Sequence, residues 1–454
     1  MNLRIISFLA ALLISSVCGT QYLFSAYSTK LAERLDFSSI QINTIGSAAN
    51  YGVYLGKPIF GYVADNFGGK RPFFAAFIIF IGYFCLAMTY EGNLTPSFLL
   101  CAFYMFIAGM ASAAGLMSSL VIVAKNVTSF RGISLGAPIA LSGLSAAIFS
   151  ELNNIWFQDD TYHFLLFLAT STGLCILIGS WFLIVVPPPI INRETTVVSF
   201  EEGNSSSCNH NSEIIEQNNK FEDTPLLQNK VKEEINIGGW DFINNNDAKL
   251  LAITMFFFSG AGLMYINNVG TIIKSLYFSH SSDLSVLPPI YELQNSHVFV
   301  LSIFSCLGRL SIGFISDMAR LLLKIPRLTF FILSGVWIFL AQLLIIFYVD
   351  DLYKLMVVTI FVGFGFGNLY AITPIIISEW FGIKNFGSNW GIIACVPAFG
   401  GQLFNLLFGY NNDQRQRSDC TGVDCYILVF YFSAFACLFS ICISLGLFYK
   451  KNKQ

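Results

Sequence analysis

Twelve stretches of the chain are each mostly apolar, poor in charge and about 20 residues long, the length an α-helix needs to cross a hydrocarbon core. They cover residues 5–27, 39–62, 72–90, 96–123, 132–153, 163–186, 248–273, 296–316, 328–348, 353–378, 387–409 and 425–448. Charged residues make up only 11% of the chain and apolar ones 55%, with 46 phenylalanines. A water-soluble fold of that composition would aggregate through its own surface. The first stretch follows Arg4 as a secretory leader would, but it continues past Gly19 to Phe24 and eleven more stretches follow, so it reads as a span. The expected fold class is an all-α integral membrane protein with twelve transmembrane helices embedded in a lipid bilayer.

Charge asymmetry gives the orientation. With both termini cytosolic, 19 of the 25 basic residues fall on the cytosolic side, among them Lys57, Lys70, Arg71, Arg131, Arg309 and Lys450. Only Lys30, Arg34, Lys274, Lys354, Arg415 and Arg417 fall on the other. That excess obeys the positive-inside rule. The formal net charge of -2 gives no reason to expect a nucleic-acid partner. The one long polar segment, residues 187–247, opens with Pro187-Pro188-Pro189 and is too rich in Asn, Ser and Glu to bury a core. It is expected to be a disordered cytosolic linker between an N-terminal half, 1–186, and a C-terminal half, 248–454.

The halves repeat each other. Gly56-Lys57 precedes Gly61 and Asp65 at the end of span two, and Gly308-Arg309 precedes Gly313 and Asp317 at the end of span eight with the same spacing. Gly132 and Gly136 of span five recur as Gly387 and Gly391 of span eleven, and Gly19-x-x-Tyr22 of span one recurs as Gly262-x-x-Tyr265 of span seven. Two six-span copies in the same orientation place a substrate near the bilayer midplane, between them.

Gly61-Tyr-Val-Ala-Asp65-Asn-Phe-Gly68-Gly-Lys70-Arg71 resembles the signature loop between spans two and three of the major facilitator superfamily. Gly19-Thr-Gln-Tyr22-Leu-Phe-Ser-Ala-Tyr27 and Ser378-Glu379-Trp-Phe-Gly382-Ile-Lys384-Asn-Phe-Gly387 resemble its nodulin-like branch, closest to the fungal monocarboxylate-transporter-homologue group of probable transporters. The resemblance implies a twelve-helix major facilitator fold. It also implies that Gly61, Asp65, Gly68, Lys70 and Arg71, echoed by Gly313 and Asp317 beside Arg320, hold one access state. Monocarboxylate transporters pair Arg309's counterpart with an acid one turn earlier, where this chain has Ser305.

Candidate substrate-binding residues are the polar groups set in apolar spans. They are Gln21, Tyr22, Asn50, Tyr265, Asn268, Arg309 and Asn368, with Tyr51, Asn267 and Tyr370 beside them. Aromatic rings around a few hydrogen-bonding groups suit a small polar ligand, while the same residues taken singly serve as interhelical glue. Arg309 lies eight residues inside Asp317, hence roughly 12 Å deeper. An ionisable group at that depth points to a substrate carboxylate or phosphate. Lys57 occupies the equivalent place in the other half, which leaves a symmetric structural role open. Glu151 and Glu379 sit near span ends, so no carboxylate is deep, and facilitated diffusion or exchange stands beside proton symport.

Glu222-Asp-Thr-Pro-Leu226-Leu227 resembles an acidic dileucine sorting signal, which a coat adaptor would read in an extended cytosolic loop. It points to a vacuolar membrane, with the plasma membrane as alternative. Of the sequons, only Asn93 lies on the non-cytosolic side, where N-glycosylation occurs. Cys420 and Cys425 share the last non-cytosolic loop, where a disulfide is expected. No cysteine cluster has metal-ligand spacing, and no phosphate loop or nucleophile–base pair occurs, so neither an enzyme nor a cofactor is expected. The leading function is secondary transport of a small, anionic or neutral metabolite by a monomer through alternating access. The alternative is a transporter-like solute sensor.

Overall fold

The structure, a computed structural model, describes residues 3–68, 72–127, 130–157, 160–186, 236–279, 289–416 and 422–453. Among the described residues there is no strand, and nearly every one is helical. Spans two to six are Ser39–Phe67, Pro72–Glu91, Phe98–Asn126, Arg131–Leu152 and Thr161–Phe182. Spans seven to twelve are Asn246–Ser279, Ile290–Leu323, Arg327–Phe347, Leu352–Trp380, Phe386–Gln416 and Ile427–Asn452. Most outrun the apolar stretch that announces them, because a helix continues past the hydrocarbon into the headgroup layer, where charge is tolerated.

Eleven of the spans are long and apolar enough to cross a membrane by composition alone. Ser39–Phe67 is the exception. It is as long as spans four and ten but holds Gln41, Asn43, Asn50, Lys57, Asp65 and Asn66. Span two packs on span four within its own half and on span eleven of the other.

Span one differs from the single helix expected over 5–27. It runs as Leu3–Ser15, breaks, passes through a 3-10 turn at Thr20–Leu23 and resumes as Ser25–Leu35. Gly19 stands at the break because the chain presses on span five: a Cβ there would lie 1.8 Å from the Ser142 carbonyl oxygen. The turn is held by Thr20, whose hydroxyl donates to the Val17 carbonyl at 3.2 Å and accepts from the Tyr83 hydroxyl at 3.0 Å. An interruption of this kind is tolerated at membrane depth only where protein or a cavity satisfies the backbone.

The halves meet along two crossings, span two on span eleven and span five on span eight. Backbone touches backbone at both. Cβ atoms added at Gly387 and Gly391 would lie 2.5 and 2.4 Å from the carbonyl oxygens of Gly61 and Lys57. Those added at Gly132 and Gly136 would lie 2.1 and 3.0 Å from those of Gly313 and Arg309. The four glycines that recur between the halves thus form both crossings, which is the use of small residues in membrane interfaces.

The described chain resumes at residue 236, inside the stretch whose polarity marks it as linker. The Ile237 amide donates to the Phe381 carbonyl at 2.9 Å, and the Asn389 side-chain amide donates to the Ile237 carbonyl at 2.8 Å. Phe242 is buried edge-on against Phe381, with ring centroids 4.8 Å apart. Asp247 then pairs with Lys450 and Lys451 at 2.7 Å each. These contacts strap the segment across the turn between spans ten and eleven. A single buried aromatic residue, Phe242, was too small an apolar signal to mark this docking in a polar sequence.

Candidate functional site

Two carboxylates sit where span two and span eight reach the face of the bundle that bears the chain ends. Asp65 accepts the backbone N–H of Gly387 at 2.9 Å and of Ser388 at 2.7 Å, and the Ser388 hydroxyl at 2.8 Å. Those are the unpaired donors at the start of span eleven, so the anion also caps the positive end of a helix dipole. Asp317 does the same for span five, accepting from Gly132 at 3.0 Å and Ile133 at 3.1 Å. Each carboxylate therefore ties its own half to the opposite one. The Asp317 latch has an addition: Arg327 donates to it at 2.5 Å. The sequence pairs Asp317 with Arg320, but Arg320 binds Glu379, which also accepts from Arg327 at 3.2 Å. Gly68, at a φ of +68°, ends span two in a conformation that favours glycine. Lys70 and Arg71 lie outside the described residues.

Deeper between the halves the break in span one carries Gln21 and Tyr22. Gln21 is buried with its carbonyl oxygen unpaired. Tyr22 is 51% exposed although it lies close to Arg309 of the other half, so it faces open space between the halves. Tyr54 of span two stands between Tyr22 and Tyr370 of span ten. The Tyr51 hydroxyl reaches Gln402 of span eleven at 3.2 Å. Asn50, Asn368 and Tyr370 each leave a buried oxygen without a hydrogen-bond partner. Buried polar atoms are paired in the great majority of proteins, and the oxygens of Gln21, Asn50 and Asn368 are exceptions.

Arg309 is 9% exposed, and its guanidinium donates once, from Nη1 to the Ile139 carbonyl at 3.0 Å, while Nε has no partner. It lies flat against Gly143 of span five, where a Cβ would fall 1.6 Å from Nη1. Lys57 is 7% exposed, and its ammonium sits 4.7 Å from the centroid of the Tyr54 ring. Among the described residues neither cation has an acidic partner.

Two candidates fall outside this cluster. Tyr265 is fully buried inside the C-terminal half, where its hydroxyl shares a 2.6 Å hydrogen bond with Thr359, which also meets His297 Nδ1 at 2.6 Å. Asn268 donates to the Met264 carbonyl at 2.8 Å and to Asn405 at 3.0 Å, joining spans seven and eleven. Both are glue. Sequence reasoning missed Tyr54 and Gln402, whose helical spacing from Asn50 and Phe399 carries no mark beyond that of an ordinary buried face. Cys425 is disulfide-bonded, and Cys420, the partner expected from the sequence, lies outside the described residues. Asn93 is exposed at the end of span three, and Glu222, Leu226 and Leu227 lie outside the described residues.

The whole chain superposes on solved major facilitator structures. The fucose transporter FucP in its outward conformation matches at a TM-score of 0.61 and 11% identity, covering 98% of this chain and 99% of that one. A second structure, of the E. coli fucose:proton symporter carrying a single substitution, matches with the same TM-score at 10% identity. Twelve spans, two crossings and paired latches define a membrane transporter of the major facilitator fold. Residues 4–204 match the family described as Nodulin-like and residues 243–454 the NFD4 C-terminal domain. It is 26% identical to a protein of Neurospora crassa named Probable transporter mch1, over 94% of this chain and 86% of that one. It is likewise 26% identical to Probable transporter MCH1 of Saccharomyces cerevisiae, over 99% and 93%.

Proposed function

We propose that the protein is a secondary transporter that moves a small anionic metabolite by alternating access. The observation that carries this reading is Arg309: a guanidinium buried between the halves, beside an aromatic-lined space, with one carbonyl bond and no acid. Burying an uncompensated charge costs several kcal/mol, and an anionic substrate would supply the missing partner. The charge asymmetry of the loops supports a cytosolic position for the face bearing the termini. Asp65 and Asp317 then close the cytosolic side in this state, and release of both lets the halves rock about their glycine crossings.

Uptake of labelled organic acids and sugars into proteoliposomes tests the reading. An organic anion should be taken up, and Arg309→Ala should cut its uptake at least tenfold, about 1.4 kcal/mol or more of lost interaction. Uptake of neutral solutes only, indifferent to Arg309, would sink it. The dileucine segment supports residence in a vacuolar membrane through a coat adaptor, and a Leu226→Ala, Leu227→Ala double variant should move the protein to the cell surface. An unmoved protein discards that address.

A further inference from the structure

We infer that the transported anion is divalent, one negative charge being taken by Arg309 and the second by Lys57. The inference rests on the anion-transport reading and deepens it. The two cations hold equivalent places, 252 residues apart in a duplicated motif, and come to the cleft from opposite halves. Each has its own backbone carbonyl against the second glycine of the facing pair, Gly391 for Lys57 and Gly136 for Arg309, so neither can swing away as a rigid unit without opening a crossing. A lysine in a structural role at this position would snorkel its ammonium toward the headgroups. Lys57 does not. Its ammonium is folded over the Tyr54 ring and over nine-tenths of the side chain is buried.

Between the cations stand Tyr22, Tyr54 and Tyr370, whose hydroxyls both donate and accept. Among the described residues no carboxylate bonds to any member of the cluster. A monoanion would leave the closed site with one unpaired positive charge in low dielectric. A dianion leaves it neutral, the condition under which an occluded site is least costly to form. Two carboxylates on a short chain and a single phosphate group share this chemistry, and both are put to the test.

The full chain, purified in lipid nanodiscs at pH 8 and constant chloride, is titrated with acetate, propionate, malonate, succinate and inorganic phosphate, binding being read by calorimetry. At least one dianion should bind about tenfold or more tightly than the monocarboxylates. Lys57→Gln should erase that preference, lowering dianion affinity about tenfold while leaving acetate and propionate within about twofold. Lys57→Arg should keep the preference, and unchanged melting temperatures show that the variants are folded. Monoanions binding as tightly as dianions, or a Lys57→Gln variant that weakens both classes alike, overturns the divalent assignment and leaves the anion reading standing. Absence of Arg309-dependent binding by every probe, in a chain that melts cooperatively, overturns both.

Discussion

Spans one and seven open the two halves with the same Gly-x-x-Tyr pattern, yet they become different structures. At Gly19 the helix stops and turns, because the backbone is pressed against the Ser142 carbonyl, which cannot yield. At Gly262 the helix runs on from Asn246 to Ser279, and the atom that a Cβ would meet, at 2.8 Å, belongs to the Phe366 ring, a side chain able to shift. Tyr22 consequently faces the cleft, whereas Tyr265 is turned into its own half. A repeat in sequence thus preserves what closes the crossings and abandons symmetry at the break in span one. The latches show a milder form of the same divergence, since among the described ion pairs Asp317 has Arg327 and Asp65 has none.

The largest expected effect breaks the comparison at the latches. Asp317→Asn leaves the buried Arg327 without its ion partner there and should destabilise this state by about 3 kcal/mol or more. Asp65→Asn, which removes only charge-assisted bonds to a helix start, should cost about 1 kcal/mol. Thermal unfolding, together with labelling of a cysteine placed on the face bearing the termini, measures both. Equal losses would mean that Arg327 adds nothing to its latch. Next comes the break itself. Gly19→Ala should cost about 1–3 kcal/mol by overpacking and abolish uptake, while Gly262→Ala should be tolerated with less than about 1 kcal/mol of loss as Phe366 moves. A Gly19→Ala protein that melts and transports normally would show that the close approach to Ser142 is dispensable. The smallest effect separates the tyrosines. Tyr265→Phe should lower stability by about 1 kcal/mol with KM unchanged, and Tyr22→Phe should raise KM severalfold with the melting temperature unchanged. The reverse pattern would exchange their assignments.

The span count, the duplication and the carboxylates of both latches were legible because each is written locally, as a run, a repeat or a motif. Their partners were not. Gly387 and Ile133 bind through backbone N–H groups at helix starts, which any residue supplies, so no side chain announces those contacts across 322 or 184 positions. Apolarity ends span two at 62, whereas the helix continues to Phe67. The extra turn and more sinks Lys57 about 8 Å deeper than that boundary implies. Likewise the fault line at Gly19 is invisible in a run as apolar as any other, because it is set by span five rather than by its own residues.

The cations and the latch carboxylates are mounted in pairs on single helices, Lys57 with Asp65 on span two and Arg309 with Asp317 on span eight, each pair two turns and a fraction apart. Span eight joins its pair through an uninterrupted hydrogen-bonded rod. In span two, Pro58 follows directly after Lys57 and withholds the N–H that would engage the Tyr54 carbonyl. One shaft is stiff and the other jointed, so under the proposed transport cycle a tug on the substrate would arrive at Asp317 undiminished and at Asp65 only after bending a hinge. The two doors of this gate do not feel the same hand.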